Sequence, residues 1–269
     1  MKFSILIPTF NRVNYLKDAV LSVINQRHVD FEVVVIDNAS TDGTDVMMRQ
    51  FESNALVKYY RNDTNIGMIQ NWSKALYTYS SGEWVIILSD DDLIIDDEYL
   101  HKAQSLIENN DDIVIVHANR IVKTDNKEYF VRRILPKICD GKWMFNNYLL
   151  NEDIMFTFVT GIFNKKIALK VDAFKSYGVV GSDTMEFLKM SLYGNIGFIE
   201  EFVAVYRIHD NNPYFRFGVD YLLTTNIETF NAPFRLAKSM QLFDDSLLIK
   251  WRIRLIKQYI SSYNISYKD

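Results

Sequence analysis

The chain has 269 residues, 48% of them hydrophobic and 14% aromatic, enough apolar content to fill a large core without covalent staples. Its formal net charge of −4 argues against nucleic acid as a main partner. A single cysteine, Cys139, excludes an internal disulfide and a cysteine-built zinc site, and the opening "MKFSILIPTFNR" holds only a short apolar run broken by Pro8, so neither a signal peptide nor a membrane span is expected and a reducing cytoplasm is the natural compartment.

In chain order, "FSILI" (3–7) and "FEVVVI" (31–36) read as buried parallel strands. Between them Leu16, Ala19, Val20, Val23 and Ile24 recur at helical spacing. A second helix is expected from about Asp45 to Phe51, then a strand over "LVKYYR", a helix over "MIQNWSKALYTYS" and a fourth strand over "EWVIIL". This βαβαβαβ order predicts the α/β class: a doubly wound, mostly parallel sheet with helices on both faces. Ligands of such sheets bind outside the carboxyl ends of the strands. Polar clusters sit at those ends: "PTFNR", "DNASTDGT", "RNDTNIG" and "SDDD".

Beyond residue 100 the alternation loosens. A helix is expected over "YLHKAQSLIEN", strands over "DIVIVHANRIVK" and "EYFVRRIL", a strand entering a short helix over "FTFVTGIFNKKIA", a helix over "DTMEFLKMSLYG" and paired strands over "IGFIEEFVAVYRIH". No repeat or low-complexity linker intervenes, so one continuous sheet is expected. It divides functionally into residues 1–100 and 101–212, with a helical extension over 213–269.

The run of acids Asp90, Asp91 and Asp92 directly after a buried strand needs explanation, because like charges so close raise one another's pKa unless a cation or donor compensates. A solvated loop or a helix N-cap would be the ordinary reason for one aspartate. Three at a strand's carboxyl end point instead to a divalent metal, Mn2+ or Mg2+, whose preference is for hard carboxylate oxygens shared with phosphate. "DNASTDGT" fails as a calcium loop, since placing Gly43 at its sixth position puts Arg49 where a bidentate glutamate is required. Neither a dinucleotide-binding nor a P-loop glycine signature occurs.

The segments "IPTFNR", "VVVIDNASTDGT", "NIGMIQNW", "LSDDD", "TGIFNKK", "GSDTMEFLK" and "VYRIHDN" occur in the order and spacing seen in family 2 glycosyltransferases. The resemblance covers residues 3 to about 212 and implies the GT-A fold and an inverting, metal-dependent transfer from a nucleotide diphosphate sugar. Residue by residue, it implies that Pro8, Thr9, Phe10 and Asn11 line the nucleobase pocket, with Phe10 facing the base as aromatic rings stack on bases generally. Asp37 matches the first of the family's paired acids, and Asn38 stands where many members carry aspartate, which leaves UDP, dTDP and GDP all open as the carrier. Asn65, Gly67 and Asn71 match the "N-x-G" turn and its following asparagine, where a turn glycine and a capped helix are the alternative reading.

"LSDDD" resembles the DXD motif in either of two registers. In one, Asp90 lies near the ribose and Asp91 is the metal ligand; in the other, Asp90 and Asp92 are the pair. The resemblance further implies Asp183 as catalytic base, with a helix cap as its alternative, His209 as a group holding metal or diphosphate, and Arg207 beside it. Asp91, Asp92 and His209 are thus the implied metal set. A bacterial surface polysaccharide is the implied product, built on a glycan or lipid-linked oligosaccharide acceptor. A nucleotidyltransferase is the rival enzyme, though "IPTFNR" lacks the glycines its phosphate loop needs; an inactive glycan-binding module is the rival outside enzymes and would not need Asp91 or Asp183.

The segment "SLLIKWRIRLIKQYI" (246–260) places Leu248, Trp251, Leu255 and Tyr259 on one helical stripe, widened by Ile249, Ile253, Ile256 and Ile260, with Lys250, Arg254 and Lys257 on another face. Two readings stand: a helix docked on the domain, or a helix lying on an anionic membrane with Trp251 at headgroup level, at the inner face of the cell membrane.

Overall fold

The computed structural model describes residues 1–149, 156–175, 181–209 and 219–266, with side chains of 219–226 and 262–266 outside the description. The expected boundary near residue 212 lies outside the described residues.

The first half follows the sequence pattern. Strands β1 (Lys2–Thr9), β2 (Asp30–Asp37), β3 (Val57–Arg61) and β4 (Trp84–Ile87) are parallel and ordered β3-β2-β1-β4. Strand β1 is buried almost throughout because both of its faces are covered, which is why it reads as a continuous apolar run rather than an alternating one. Alternate side chains go to different cores: Leu6, Val34 and Ile36 to one, Ile5, Ile7, Val33 and Val35 to the other. Helix α1 (Val13–Val23) closes the second core with Leu16, Ala19, Val20 and Val23. Helices α2 (Thr44–Met48) and α3 (Met68–Lys74) connect the remaining strands, α3 running on into a π-helical turn over Ala75–Tyr79. Glu32, a charged residue buried in β2, accepts from Ser4 Oγ (2.6 Å), Ser81 N (2.6 Å) and Lys58 Nζ (2.6 Å). These partners favour its charged form and lower its pKa to about 2 against the opposing effect of burial.

In the second half the sheet continues and becomes mixed. After the two-residue strand β5 (Leu93–Ile94) and helix α4 (Tyr99–Glu108) come β6 (Ile113–Lys123), β7 (Glu128–Val131), β8 (Ile138–Cys139), helix α5 (Gly141–Asn147) and β9 (Ile162–Asn164). Helices α6 (Lys165–Lys170) and α7 (Ser182–Ser191) precede β10 (Asn195–Arg207). Strand β9 inserts antiparallel between β4 and β6, and β10 runs parallel to β6, giving the path β3-β2-β1-β4-β9-β6-β10-β5. One sheet therefore spans both halves. The paired strands expected over "IGFIEEFVAVYRIH" are a single long strand. Its register against β6 shifts between Ile199 and Phe202, so Glu200 and Glu201 are absorbed as an irregularity instead of forming a turn.

Two C-terminal helices, α8 (Val219–Ser239) and α9 (Asp245–Ser266), complete the described chain. Leu248, Trp251 and Leu255 of α9 are buried, and the Trp251 indole stacks on Phe145 (4.3 Å between centroids) while donating to the Phe145 carbonyl at 2.8 Å. Arg254 donates to the carbonyls of Tyr148 and Asn146, each at 2.9 Å. The segment is docked on the domain, as the first of the two readings has it: Trp251 is core and Arg254 serves the α5 terminus, so neither of these two side chains is available to a membrane. Among the described residues, no helix is long and apolar enough to cross one.

Candidate active site

The order β3-β2-β1-β4 reverses direction between β1 and β4, because the chain steps outward twice from β1 and then returns to its other side. Loops leaving the carboxyl ends of β1 and β4 must therefore part, and the crevice between them is where open α/β sheets bind ligands. "TFNR" leaves β1 there and "SDDD" leaves β4.

The loop after β1 is stitched to the loop after β2. Asn11, in the left-handed region at φ 53°, donates its backbone N–H to Ser40 Oγ (2.9 Å) and accepts from Thr41 N through its side chain (2.7 Å). Asp42 then accepts from Val13 N (2.9 Å) in the first turn of α1. This turn leaves Phe10 42% exposed at the strand end and aims Arg12 into the crevice. There Arg12 Nη1 donates to Asp90 Oδ1 (3.0 Å) and Asp91 Oδ2 (2.7 Å), and Thr9 Oγ1 donates to Asp90 Oδ2 (2.7 Å). The crowded acids thus have a positive partner from within the chain. Arg12 lies inside "IPTFNR" but carries no assignment from sequence; the demand for a compensating cation was the signal that could have found it.

The other wall comes from the end of β10. Arg207 N donates to Asp92 Oδ1 (2.9 Å), and Arg207 Nε donates to the Asp91 carbonyl. The Arg207 guanidinium lies over the Tyr15 ring (4.8 Å), and His209 stacks on that same ring (4.7 Å). His209 Nε2 is 3.1 Å from Asp91 Oδ2. Burial pushes Asp90 up to about 6, against the lowering charge of Arg12, and pushes Asp92 well above the usual carboxylate range, with the charge of Asp91 adding to it.

Of the implied metal set, Asp91 and His209 are neighbours, and the Asp91 carboxylate is the oxygen ligand that Mn2+ or Mg2+ prefers. Asp92 gives one oxygen to the Arg207 backbone, and both oxygens of Asp90 are already bonded. Asp91 Oδ2 is likewise engaged, by Arg12 and His209. Among the described residues no three His, Cys, Asp or Glu groups converge to hold an ion by themselves. Asp91 and His209 would hold a cation only with further ligands from a bound substrate, as Mg2+ commonly takes one or two carboxylates plus substrate phosphates.

Asp37 and Asn38 stand at the end of β2, but their polar atoms are engaged internally. Asp37, fully buried, accepts from Ser40 N (2.8 Å) and Tyr59 OH (2.7 Å). Asn38 donates to Asn65 Oδ1 (2.8 Å) and accepts from Asn62 Nδ2 (3.1 Å) and Ile66 N (2.9 Å). Asn62 continues the chain to Asn71 Oδ1 (2.8 Å), and Asn71 donates to the Ile36 carbonyl (3.0 Å). This amide network, in which Asn62 went unassigned from sequence, explains the amide at position 38, since a carboxylate there could not donate to Asn65. Gly67 adopts φ 85°, ψ 158°, a region essentially confined to glycine, and an added Cβ would meet nothing within 4 Å, so the backbone conformation alone requires it. Pro8 lies within β1, paired to Ile36.

Asp183 stands in the first turn of α7, half-buried, with Oδ1 accepting from Thr184 N (2.8 Å). Desolvation of its carboxyl pushes it up to about 6, opposed by that hydrogen bond and by the charge of Arg120. Arg120 and Tyr206 are each near enough to both Asp183 and Asp92 to feel their charges.

A mixed sheet with helices on both faces and acids at its switch point is the architecture of the GT-A fold. Residues 4–178 match the family described as Glycosyl transferase family 2, and the chain belongs to that family. Abequosyltransferase RfbV of Salmonella typhimurium is 26% identical over 221 residues, 76% of this chain and 65% of that protein. The poly(ribitol-phosphate) beta-N-acetylglucosaminyltransferase TarS of Staphylococcus aureus is 24% identical over 159 residues, 58% of this chain and 26% of its own length. The chain thus spans less than two thirds of either relative. The crystal structure of TarS 1-349 in complex with UDP-GlcNAc superimposes with a TM-score of 0.68 at 19% identity, over 86% of this chain and 66% of that one. A mannosyltransferase, PcManGT from Pyrobaculum calidifontis in complex with GDP-Man and Mn2+, gives 0.61 at 15% identity over 98% and 75%. At these identities the structures speak for the fold alone.

Proposed function

We propose that this protein transfers a single sugar, with inversion, from a nucleotide diphosphate sugar to a glycan or lipid-linked acceptor of a bacterial surface polymer. The observation that carries the reading is the pairing of Asp91 with His209 at the switch point, opposite Asp183 at the head of α7. A relative named for glycosylation of poly(ribitol phosphate) supports a polymer acceptor, and one named for abequosyl transfer supports sugar transfer.

The exposed Phe10 ring offers a stacking face for the nucleobase beside Thr9 and Asn11. A divalent cation held by Asp91, His209 and the diphosphate would supply charge neutralisation for the leaving group. Arg12 and Arg207 bring fixed positive charge to the same region. Asp183 keeps Oδ2 free of the bond that Oδ1 makes to Thr184 N, and accepts the acceptor hydroxyl's proton there. The acceptor oxygen bonds to the anomeric carbon, the bond from that carbon to the phosphate oxygen breaks, and its electron pair leaves with the diphosphate. A base with pKa about 6 is ionised at neutral pH and still close enough to it to act.

Peripheral attachment to the inner face of the membrane rests on what α9 leaves outward: Ile249, Ile253 and Ile260 are each more than 40% exposed, with Lys250 and Lys257 exposed beside them.

Thermal unfolding in the presence of UDP-, dTDP- and GDP-sugars, with and without Mn2+, tests the reading, since a ligand of the native state raises its melting temperature. One nucleotide series should stabilise the protein, and more so with Mn2+. No shift with any of the three would overturn it.

A further inference from the structure

Arg120 is a residue that neither the motifs nor the family assignment singles out. It lies on β6, paired to Ala204 of β10 on one side and Val131 of β7 on the other, and is only 7% exposed. Its Nε is wholly buried without a hydrogen-bond partner, and its guanidinium makes no ion pair among the described residues. Asp183, Asp92, Tyr206 and Tyr148 are close enough for their charges to offset part of the effect of burial on its pKa, yet none of them takes a hydrogen bond from it. The contrast within the same site is sharp, since Arg12 is engaged by two carboxylates.

A guanidinium whose Nε–H is buried without an acceptor is unfavourable in the free protein. Nothing in the packing around β6 requires one, and a buried polar group left unsatisfied needs a reason. Its neighbours locate that reason. Asp92 belongs to the diphosphate side of the crevice and Asp183 to the acceptor side, so Arg120 borders the space between leaving group and base. An anionic group placed there would also face the carboxyl groups of Asp92 and Asp183, which lie near Arg120. A neutral polyol adds no charge and offers pairs of oxygens to a planar fork of donors.

We propose that Arg120 is the residue that reads the transferred sugar, donating from its guanidinium to hydroxyl oxygens of a neutral sugar between the acids after β4 and Asp183. The inference rests on the sugar-transfer reading and deepens it to a substrate class: neutral sugars in preference to uronic acids.

The test compares wild type with Arg120→Gln and Arg120→Lys for binding of the nucleotide diphosphate alone and of its neutral sugar conjugate, using whichever of UDP, dTDP or GDP stabilises the wild type. Wild type should bind the sugar conjugate more tightly than the bare diphosphate. Arg120→Gln should erase that difference, a loss of about tenfold or more for a charged hydrogen bond, while affinity for the bare diphosphate stays within about twofold. Its urea midpoint should equal or exceed that of wild type, because an unpaired buried cation has been removed. Arg120→Lys should fall between the two in sugar binding, keeping charge but losing the fork. Equal losses for both ligands would make Arg120 a diphosphate contact, and a lowered urea midpoint would make it structural; either overturns the proposal. So would unchanged binding of both ligands with only the acid limb of the rate profile displaced, which would make Arg120 a tuner of Asp183. A wild type that binds none of the three nucleotides overturns the sugar-transfer reading itself.

Discussion

Replacing Arg12 by methionine tests the claim that this side chain is the main compensation for Asp90 and Asp91. Nη1 lies 3.0 Å from Asp90 Oδ1 and 2.7 Å from Asp91 Oδ2, and the Arg12 side chain is 17% exposed. At an effective dielectric of about 20, one such pair attracts by roughly 5 kcal/mol before desolvation is charged against it. Breaking a largely buried pair typically costs about 3–5 kcal/mol, because a buried charge is left alone. Arg12→Met should therefore lower stability by about 3 kcal/mol near pH 8. The loss must depend on pH. Asp90 already sits at about 6 in the folded protein against 3.8 as reference, and without Arg12 it rises further. The folded variant then holds protons that the unfolded chain has released, so its stability falls as pH rises above about 4. The deficit relative to wild type should be largest near pH 8 and shrink toward pH 4, where the acids are neutral. Urea unfolding of both proteins at about pH 4.5, 6 and 8 measures it. A deficit of the same size at all three would refute the reasoning, since it would assign the effect to lost packing. Mn2+ should also restore part of the variant's stability near pH 8, by placing a cation where the guanidinium was.

Asp183→Asn should lower turnover about a hundredfold or more while leaving donor affinity nearly unchanged, because proton removal matters only in the transition state; equal losses in both would favour a helix cap. In wild type, turnover should fall about tenfold per unit below pH 6, since the base must be ionised and its pKa is raised to about 6. Asn38→Asp should cost about 1–3 kcal/mol in urea unfolding, because it replaces the donor to Asn65 Oδ1 by an oxygen facing an oxygen; a change below about 0.5 kcal/mol would show the amide network to be idle. For α9, wild type should sediment with anionic vesicles at low salt, and the triple variant Lys250→Glu, Ile253→Asp, Lys257→Glu should stay in the supernatant, each lysine adding about 1 kcal/mol near such a surface. If both remain in the supernatant, the outward face of α9 has no membrane role.

The sequence by itself determined the parallel half of the sheet. Strands buried on both faces can only be near-continuous apolar runs, and "FSILI", "FEVVVI" and "EWVIIL" appear as β1, β2 and β4 with the polar clusters at their carboxyl ends. It determined the family too, because "IPTFNR", "LSDDD" and "GSDTMEFLK" keep their order and spacing whatever their side chains touch. The second half was less legible. The two-residue strands β5 and β8 are too short to show a period, α5 follows no clear apolar pattern, and the irregularity at Glu200 and Glu201 reads locally as a turn. What only the tertiary structure decided is which polar group answers which. Arg12 meets Asp90 from 78 positions away and His209 meets Asp91 from 118, and periodicity, which is local, carries no information at that range. The same holds for the consumption of Asp37 and Asn38 inside an amide and hydroxyl network, for the burial of Trp251 against Phe145, and for the isolation of Arg120. Each is set by where the sheet's strand order brings loop ends together, and the order β3-β2-β1-β4-β9-β6-β10 arises from the packing of two cores against one sheet rather than from any single segment of the chain.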